Sequence, residues 1–426
     1  MKIEICNAHV IDPANRVDGV NNVYIADKKI AAVGAAPPGW KADKTYPADG
    51  NVLIPGMVDI ATHLREPGQE QKATIASETF AGVSGGITSM VCLPDTNPVV
   101  DSPAEVELIQ QRSHFSGYCH VYVIAALTRQ LGGEYLSEMA ALKQAGVVGV
   151  SNVLHPMSNN LVLRRAMEYA ASQDLTVFFH PMDHALAANG CMHEGANATR
   201  MGLPGIPTAA ETAAASTCLA LIEETDVRVH FCRVATERTL HMLERAHFDG
   251  APISADICMH QLFLSDQDIT SFDSNYHVIP PLRSPNDVLG LRKRLLNNVV
   301  MSICSDHQPH EPDAKLAPFP ATEPGISALE TLLPLTLKLS AQTGLPLIDV
   351  IALVTCKPAQ LLNLNAGSLS VDSPADICIF DPQQEWQLSA DTLQSEGKNT
   401  PYLNQTLTGR TTHTFVAGEL VYQLKK

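Results

Sequence analysis

The feature that most constrains the fold is an alternation of short apolar runs with helical patterns through the middle of the chain. Eight runs have the length and composition of buried parallel strands, at residues 57–62, 88–93, 119–125, 147–152, 175–180, 226–231, 252–257 and 299–305. Helical patterns lie between them, at residues 103–113, 134–145, 160–172, 208–224 and 234–246, and Gly85-Gly86 ends a further helix. Strand–helix units build parallel sheets, and eight of them close into a barrel. The sequence therefore predicts an α/β fold with a (β/α)8 barrel.

Both ends of the chain have a different pattern. Residues 2–34 alternate apolar and polar positions in short bursts separated by turn signals, which is typical of antiparallel hairpins. Strand-like segments return at 376–380 and 412–422. Because a small sheet cannot bury both of its faces alone, we expect the two ends to meet. The predicted organisation is a small discontinuous β-sandwich of residues 1–52 and 366–426, with a TIM-like barrel at residues 53–365.

Composition and charge exclude several classes of protein. Apolar residues make up 45% of the 426 residues, and Lys plus Arg number 29 against 45 for Asp plus Glu, a net charge of −16. With no basic run, neither nucleic acid nor an anionic membrane surface is an expected partner. No signal peptide or membrane-length apolar stretch is visible, and the ten Cys are scattered singly, which is typical of reduced thiols. We therefore expect a cytoplasmic protein.

Polar side chains follow several predicted strands at their C-terminal ends, which face the active-site mouth of such barrels. They are His63, Arg65, Asp95, Asn97, His180, His230, Asp306, His307 and His310. A lone His in an apolar run is more often a core residue than a ligand, but chance does not place His or Asp at the same end of four strands. A hydrolytic zinc site needs three or four N or O ligands and an open position for water. His63, His180, His230 and Asp306 meet that count.

Several segments resemble motifs of dihydroorotase, a family of the amidohydrolase superfamily. Residues 59–68 resemble its Asp-x-His-x-His motif followed by Leu-Arg-Glu-Pro-Gly, and residues 305–310 resemble Thr-Asp-His-Ala-Pro-His. Further matches cover nearly the whole chain, at 94–98, 229–231, 256–262, 280–283, 325–331 and 357–359. The resemblance implies that Asp306 is both metal ligand and catalytic general base. It also implies that Arg65, Asn97 and His310 bind the carboxylate of the substrate.

The chain departs from this family at three positions of the site. Ala61 replaces the first His of the metal motif, and Asn152-Val153 replaces the Asp-Asp pair that supplies a metal-bridging carboxylate. Ile279 replaces an Asn that contacts substrate. Asn is a weak neutral ligand and cannot balance the charge of two metals. We therefore expect zinc to bind weakly or substoichiometrically, and we expect no other cofactor.

This selective loss is similar to the non-catalytic dihydroorotase-like chain that partners aspartate transcarbamoylase in some bacteria. The favoured hypothesis is a structural partner of the aspartate transcarbamoylase catalytic chain, in a homo- or hetero-oligomer. The alternative is an active dihydroorotase that interconverts N-carbamoyl-L-aspartate and L-dihydroorotate with a single zinc, since His63, Arg65 and Asp306 are kept. Another cyclic amidohydrolase, such as a hydantoinase, is disfavoured by Arg65, because a guanidinium suits a carboxylate that hydantoins need not have.

Overall fold

The structure is a computed structural model that describes residues 1–425. Its strands are β1 (Lys2–Asp12), β2 (Val17–Ala26), β3 (Lys29–Val33), β4 (Lys44–Pro47), β5 (Val52–Pro55), β6 (Met57–Thr62), β7 (Ile87–Cys92), β8 (His120–Ala126), β9 (Gly149–Ser151), β10 (Val177–Phe179), β11 (Met192–His193), β12 (Gly205–Ile206), β13 (Val229–Phe231), β14 (Ile253–Cys258), β15 (Val300–Cys304), β16 (Ile377–Gln387), β17 (Thr406–Val416) and β18 (Glu419–Gln423). Its α-helices are α1 (Ile75–Gly85), α2 (Pro103–Ser116), α3 (Met139–Gln144), α4 (Asn160–Ser172), α5 (His184–Ala187), α6 (Ala196–Met201), α7 (Thr208–Thr225), α8 (Glu237–Phe248), α9 (Pro285–Arg294), α10 (Leu332–Thr343), α11 (Leu347–Ala352) and α12 (Cys356–Leu361).

The middle of the chain forms the predicted barrel. Eight parallel strands pair in the order β6, β7, β8, β9, β10, β13, β14, β15, and each overlaps one of the eight predicted runs, although β9, β10 and β13 are shorter than predicted. The barrel closes between β15 and β6 without a regular ladder. His63 N donates to His307 O (2.9 Å), His307 N donates to Ala61 O (3.2 Å), and Val58 N donates to Val354 O (2.9 Å). The ends of the first and last strands are thus joined directly only at the mouth. Below it the backbone of Leu353 and Val354 bridges them, since Ile303 N donates to Leu353 O (2.9 Å).

The helices differ from prediction mainly at their starts. The predicted helix at 134–145 begins only with α3, because the preceding backbone is used elsewhere: Arg129 N donates to Tyr135 O (2.8 Å) and Ser137 N to Leu127 O (3.2 Å). The start of α8 is fixed by Thr236, whose hydroxyl accepts from Thr239 N (3.2 Å) as an N-cap. Helix α1 ends at Gly86, which has φ +91° and so favours glycine. Short elements α5, α6, β11 and β12 had no clear sequence signal.

Strands from both ends of the chain form a second sheet, in the order β18, β17, β16, β5, β1, β2, β3, with β4 also paired to β1. Strands β1 to β3 are antiparallel as predicted, whereas β4 and β5 lie parallel to β1. The C-terminal strands join through β16, which runs antiparallel to β5 with Cys378 opposite Ile54. This confirms that the two ends build one β-structure, while the domain boundaries at 52/53 and 365/366 stay predictions.

Each sheet has its own buried side chains. The terminal sheet encloses a cluster that includes Ile5, Val10, Ile25 and Phe415. The barrel interior encloses another, whose members are Val58, Ile60, Ala61, Val91, Leu93, Ile124, Val153, Phe178, Cys232, Cys258, Cys304, Ala359 and Leu362. We call this second set the barrel cluster. No helix within residues 1–425 is long and apolar enough to cross a membrane.

Candidate metal and substrate site

Two of the positions where a ligand is missing lie inside the barrel cluster. Ala61, at the end of β6, is 5% exposed, and Val153, just after β9, is 6% exposed. Val153 has φ +49°, an uncommon conformation for a β-branched residue, and its N–H donates to Ser151 Oγ (2.9 Å). The backbone therefore points an apolar side chain into the barrel at both positions. Neither residue offers a donor atom to a metal.

Asn152 is engaged in holding a loop. Its Oδ1 accepts from the Thr128 N–H (3.2 Å) and the Thr128 hydroxyl (2.7 Å). Its Nδ2 donates to the carbonyl oxygens of Leu131 (3.3 Å) and His155 (3.4 Å). Because both ends of the amide are bonded to the loops after β8 and β9, Asn152 stabilises those loops and presents no free oxygen.

His63 keeps the arrangement of a metal-ligating histidine, with one ring nitrogen free among the described residues and the other held by a carboxylate. Its Nδ1 lies 3.0 Å from Asp95 Oδ2, while its Nε2 is buried and has no partner within residues 1–425. Burial alone would raise the pKa of Asp95, but His63 and then Arg65 outweigh it and hold that pKa well below its usual range. Asp95 is therefore an anion that orients the His63 ring.

Two further imidazoles are buried without partners. His180 is 6% exposed and His260 2% exposed, and neither ring has a hydrogen-bond partner on either nitrogen among the described residues. Burial, and then the charge of Arg233, lower the pKa of His180 well below its usual value. Burial lowers the pKa of His260 to about 4. Both rings are therefore neutral at pH 7. His260 was visible in the sequence only as part of a matching motif, with no assigned role.

His230, the predicted ligand on β13, is fully buried and fully bonded. Its Nε2 lies 2.9 Å from Asp256 Oδ2, and its Nδ1 lies 2.8 Å from Ser254 Oγ. Asp256 Oδ1 also accepts from the backbone N–H of Arg233 (2.7 Å). Since both ring nitrogens are occupied, His230 has no lone pair to offer a metal in this arrangement.

Asp306, the predicted ligand and general base, is in a buried ion pair. Arg233 Nη1 donates to Asp306 Oδ1 (3.0 Å), and Gln308 Nε2 donates to Asp306 Oδ2 (3.2 Å). Arg233 is 3% exposed and Asp306 1%. Burial would lower the pKa of Arg233, but Asp306 outweighs it and raises that pKa, so the guanidinium stays charged. The sequence analysis missed Arg233; its only signal is a single charged residue within the otherwise apolar stretch 231–235.

The four predicted ligands are not brought together. Within residues 1–425, two groups place three donor atoms within 4.8 Å of one another: His230, Cys232 and Asp256, and Cys258, His260 and Asp306. Each contains only one of the predicted four. In the first group His230 and Asp256 are bonded to each other, and in the second Asp306 is bonded to Arg233. The described residues therefore do not fit the two-metal site of the family.

The predicted substrate-binding residues are arranged differently. Arg65 is 8% exposed and has φ +62°. Its Nε donates to Pro309 O (3.1 Å), and its Nη2 lies 3.2 Å from His310 Nε2. Lys72 Nζ lies 3.4 Å from the other nitrogen of His310, and burial, followed by the charges of Arg65 and Lys72, lowers the pKa of His310 to about 2. No carboxylate within residues 1–425 forms an ion pair with Arg65. Asn97 is exposed on the neighbouring loop and makes no hydrogen bond to either residue.

Two other residues from the sequence motifs are structural. His307 Nε2 lies 2.8 Å from Glu78 Oε2, both side chains are fully buried, and His307 Nδ1 accepts from Ala328 N (3.1 Å). Ile279, where the family has Asn, packs against a small cluster that includes Ile206 and Ala210. His307 thus contacts α1, and Ile279 packs against β12 and α7.

Comparison with known proteins identifies the family of this chain. The family described as "Dihydro-orotase-like" matches residues 50–239. A "Dihydroorotase-like protein" of Pseudomonas aeruginosa strain PAO1 is 46% identical over 99% of this chain and 100% of its own length. One of Pseudomonas putida is 45% identical over 99% of both chains. A protein named "Dihydroorotase" from Syntrophotalea carbinolica is 39% identical over the full length of both chains.

Solved structures show the same fold at lower sequence identity. The L-hydantoinase (dihydropyrimidinase) of Arthrobacter aurescens superposes with a TM-score of 0.88 at 21% identity, covering 100% of this chain and 96% of its own. A D-hydantoinase gives a TM-score of 0.85 at 22% identity, covering 99% of this chain and 95% of its own. These similarities concern the fold alone, whereas the full-length relatives above decide the family. The chain belongs to the dihydroorotase-like family of amidohydrolase-fold proteins.

Proposed function

We propose that this dihydroorotase-like chain is a non-catalytic structural partner of the aspartate transcarbamoylase catalytic chain in pyrimidine biosynthesis. The observation that carries the proposal is the position of Ala61 and Val153. Both lie within the barrel cluster. The family resemblance implies a ligand of the first metal at position 61 and a metal-bridging carboxylate at position 152 or 153. Without these donors, a metal-activated water cannot form as it does in two-metal hydrolases.

The intact fold supports a structural role. All eight barrel strands are present, and the terminal sheet keeps a buried core of its own. Mutation erodes stability unless selection holds it above a threshold, so a chain without a role would lose such cores. An interface is the simplest requirement that preserves a fold while its chemistry is lost. Specific interfaces bury more than about 1,200 Å².

Purified protein provides the first test. We expect no turnover of L-dihydroorotate or N-carbamoyl-L-aspartate above the blank, and well under one zinc ion per chain by elemental analysis. The Syntrophotalea carbinolica relative named dihydroorotase serves as a positive control in the same buffer. Two tightly bound zinc ions per chain, or turnover equal to that of the control, would refute the non-catalytic assignment.

Assembly is tested separately. Co-expression with the aspartate transcarbamoylase catalytic chain of the same organism, followed by size-exclusion chromatography, should give one peak that contains both chains. If the transcarbamoylase elutes as a free, fully active trimer whether or not this chain is present, the partnership is wrong. The two tests are independent, because a chain without turnover still has to be shown to bind its partner.

A second candidate, a single-zinc dihydroorotase, is favoured by one specific observation. Among the described residues, His180 has two buried ring nitrogens without partners, and His63 has one. A metal ion is one group that would satisfy them. This candidate predicts turnover with one zinc per chain, lost on chelation and in His180→Gln but kept in a matched control at the exposed His114, His114→Gln.

A further inference from the structure

Arg233 is a charged side chain in an unusual place. It follows β13 at the barrel mouth, is 3% exposed and has φ +56°. Its backbone N–H donates to Asp256 Oδ1 (2.7 Å), and its guanidinium donates through Nη1 to Asp306 Oδ1 (3.0 Å). One residue therefore links a carboxylate on β14 to another just beyond β15.

The groups around this guanidinium include those that the sequence predicted as metal ligands. The titratable groups that act on its charge are Asp306, Asp256 and the thiols of Cys232 and Cys258, and Arg233 in turn acts on His180. These side chains come from the ends of β10, β13, β14 and β15. The guanidinium thus carries a fixed positive charge in the region of the mouth where a metal would need His180 and Asp306.

We propose that Arg233 is a built-in cation that takes over the structural part of a metal ion's role, balancing the buried Asp306 carboxylate and cross-linking the ends of β13 and β15, so that the barrel is stable without metal. Asp306 is 1% exposed, and a buried carboxylate requires a paired charge, which the Arg233 guanidinium supplies. A guanidinium remains charged at every relevant pH and directs its donors at fixed angles. Unlike a bound ion, it cannot dissociate. This inference does not depend on the proposed partnership with aspartate transcarbamoylase.

The same charge opposes metal binding. A divalent ion bound to Asp306 would compete with Arg233 Nη1 for the same oxygen and would be repelled by the guanidinium. At an effective dielectric constant of about 20, removing one unit charge at such short range should strengthen zinc binding by at least about 100-fold. The stability of Arg233→Met should therefore depend on bound metal, whereas that of the wild-type protein should not.

Thermal unfolding with and without metal tests the proposal. The wild-type midpoint should be the same in EDTA, in metal-free buffer and with added zinc. Arg233→Met should unfold several degrees lower in EDTA and recover much of that loss with zinc, because a ligand that binds only the folded state stabilises it. Arg228→Met is the matched control, since Arg228 lies before the same strand, is exposed and pairs with Asp174. It should show no response to zinc.

A charge-neutral double variant covers the case in which Arg233→Met does not fold. Arg233→Met with Asp306→Asn removes both partners, so it should fold, be more stable than Arg233→Met in EDTA and show little response to zinc. The proposal is wrong if wild-type protein loses stability on chelation, if folded Arg233→Met shows no zinc response, or if the double variant is no more stable than Arg233→Met. None of these results depends on turnover, so a failure here is distinct from a failure of the proposed function.

Discussion

The two halves of the barrel mouth differ in the hydrogen-bond partners of their polar side chains. In what we call the ligand half, formed by Ala61, Val153, His230, Arg233 and Asp306, polar side chains are bonded to other side chains of the protein. In the anion half, formed by Arg65, Lys72, His310 and Lys315, the cationic side chains form hydrogen bonds only to neutral groups among residues 1–425. Burial lowers the pKa of Lys315 to about 8.

This difference separates the residues that stabilise the fold from the residues that can bind a ligand. Groups that pair with each other inside the protein stabilise the fold, whereas cations without an anionic partner remain free to bind one. Substitutions in the ligand half should therefore act mainly on stability. Substitutions in the anion half should act mainly on the binding of a carboxylate ligand.

The largest effect is expected at Asp256. Asp256→Leu leaves the ring of His230 and the N–H of Arg233 without their acceptor, and breaking a buried pair costs about 3–5 kcal/mol. Urea unfolding measures the loss. Asp174→Leu is the control, because Asp174 is 76% exposed and its pair with Arg228 should contribute at most about 1 kcal/mol. Equal losses of unfolding free energy in Asp256→Leu and Asp174→Leu would contradict the view that the buried pairs of the ligand half stabilise the fold.

A pH-dependent effect is expected at His260. Burial lowers its pKa to about 4 in the folded state, against about 6.5 when unfolded. Its neutral form therefore contributes stability that is fully present above pH about 6.5 and is lost as pH falls toward 4. Wild-type protein should lose about 3 kcal/mol more than His260→Met between pH 7 and pH 4. The exposed His114, changed to Met, is the control, and parallel stability curves for wild type and His260→Met would contradict the prediction.

A binding effect is expected at Arg65. The structure leaves this guanidinium without a carboxylate partner within residues 1–425, so we expect L-dihydroorotate or N-carbamoyl-L-aspartate to bind there without turnover. Arg65→Met should weaken binding by about 10- to 100-fold, the range for hydrogen bonds to a charged group, with little change in urea unfolding. Isothermal titration calorimetry measures it, with the exposed Arg129→Met as control. Wild-type protein that binds neither compound would show that the anion half is also lost.

The smallest effect is expected at Asn97. This residue is exposed and bonds to neither Arg65 nor His310, so Asn97→Ala should weaken binding by only about two- to tenfold, the worth of one neutral hydrogen bond. The same calorimetric experiment measures it. A loss as large as that of Arg65→Met would mean that the loop after β7 moves onto the ligand.

The sequence was sufficient for the barrel because its strands are uninterrupted apolar runs. The run at 57–62 coincides with β6, and the helix predicted at 160–172 coincides with α4. It was less reliable where long-range backbone bonds decide the outcome, as at residues 134–138, or where elements have only two to six residues, as in β11 and α6. Local composition carries no information about such bonds.

In the site, the sequence predicted which residues lie at the mouth but not how they pair. The common location of His63, His180, His230 and Asp306 follows from strand ends, and strand ends are visible in a sequence. The pairing of Arg233 with Asp306 joins residues 73 positions apart, and it depends on the direction of each side chain after its strand. The same holds for His230 and Asp256, which face each other across β13 and β14. The loss of a metal ligand can be seen from a single residue of the sequence. The side-chain pairs that stabilise the altered site can be seen only in the structure.

The placement of β5 in the terminal sheet has a consequence for synthesis on the ribosome. Its edge pairs with β16, which lies about 320 residues later in the chain. At about 5–20 residues per second, this edge stays uncovered for roughly 15–65 s after β5 is made. An unpaired apolar edge is a site of aggregation, and the Val-Leu-Ile sequence of β5 is of this kind. The nascent chain therefore carries this uncovered apolar edge through most of its synthesis.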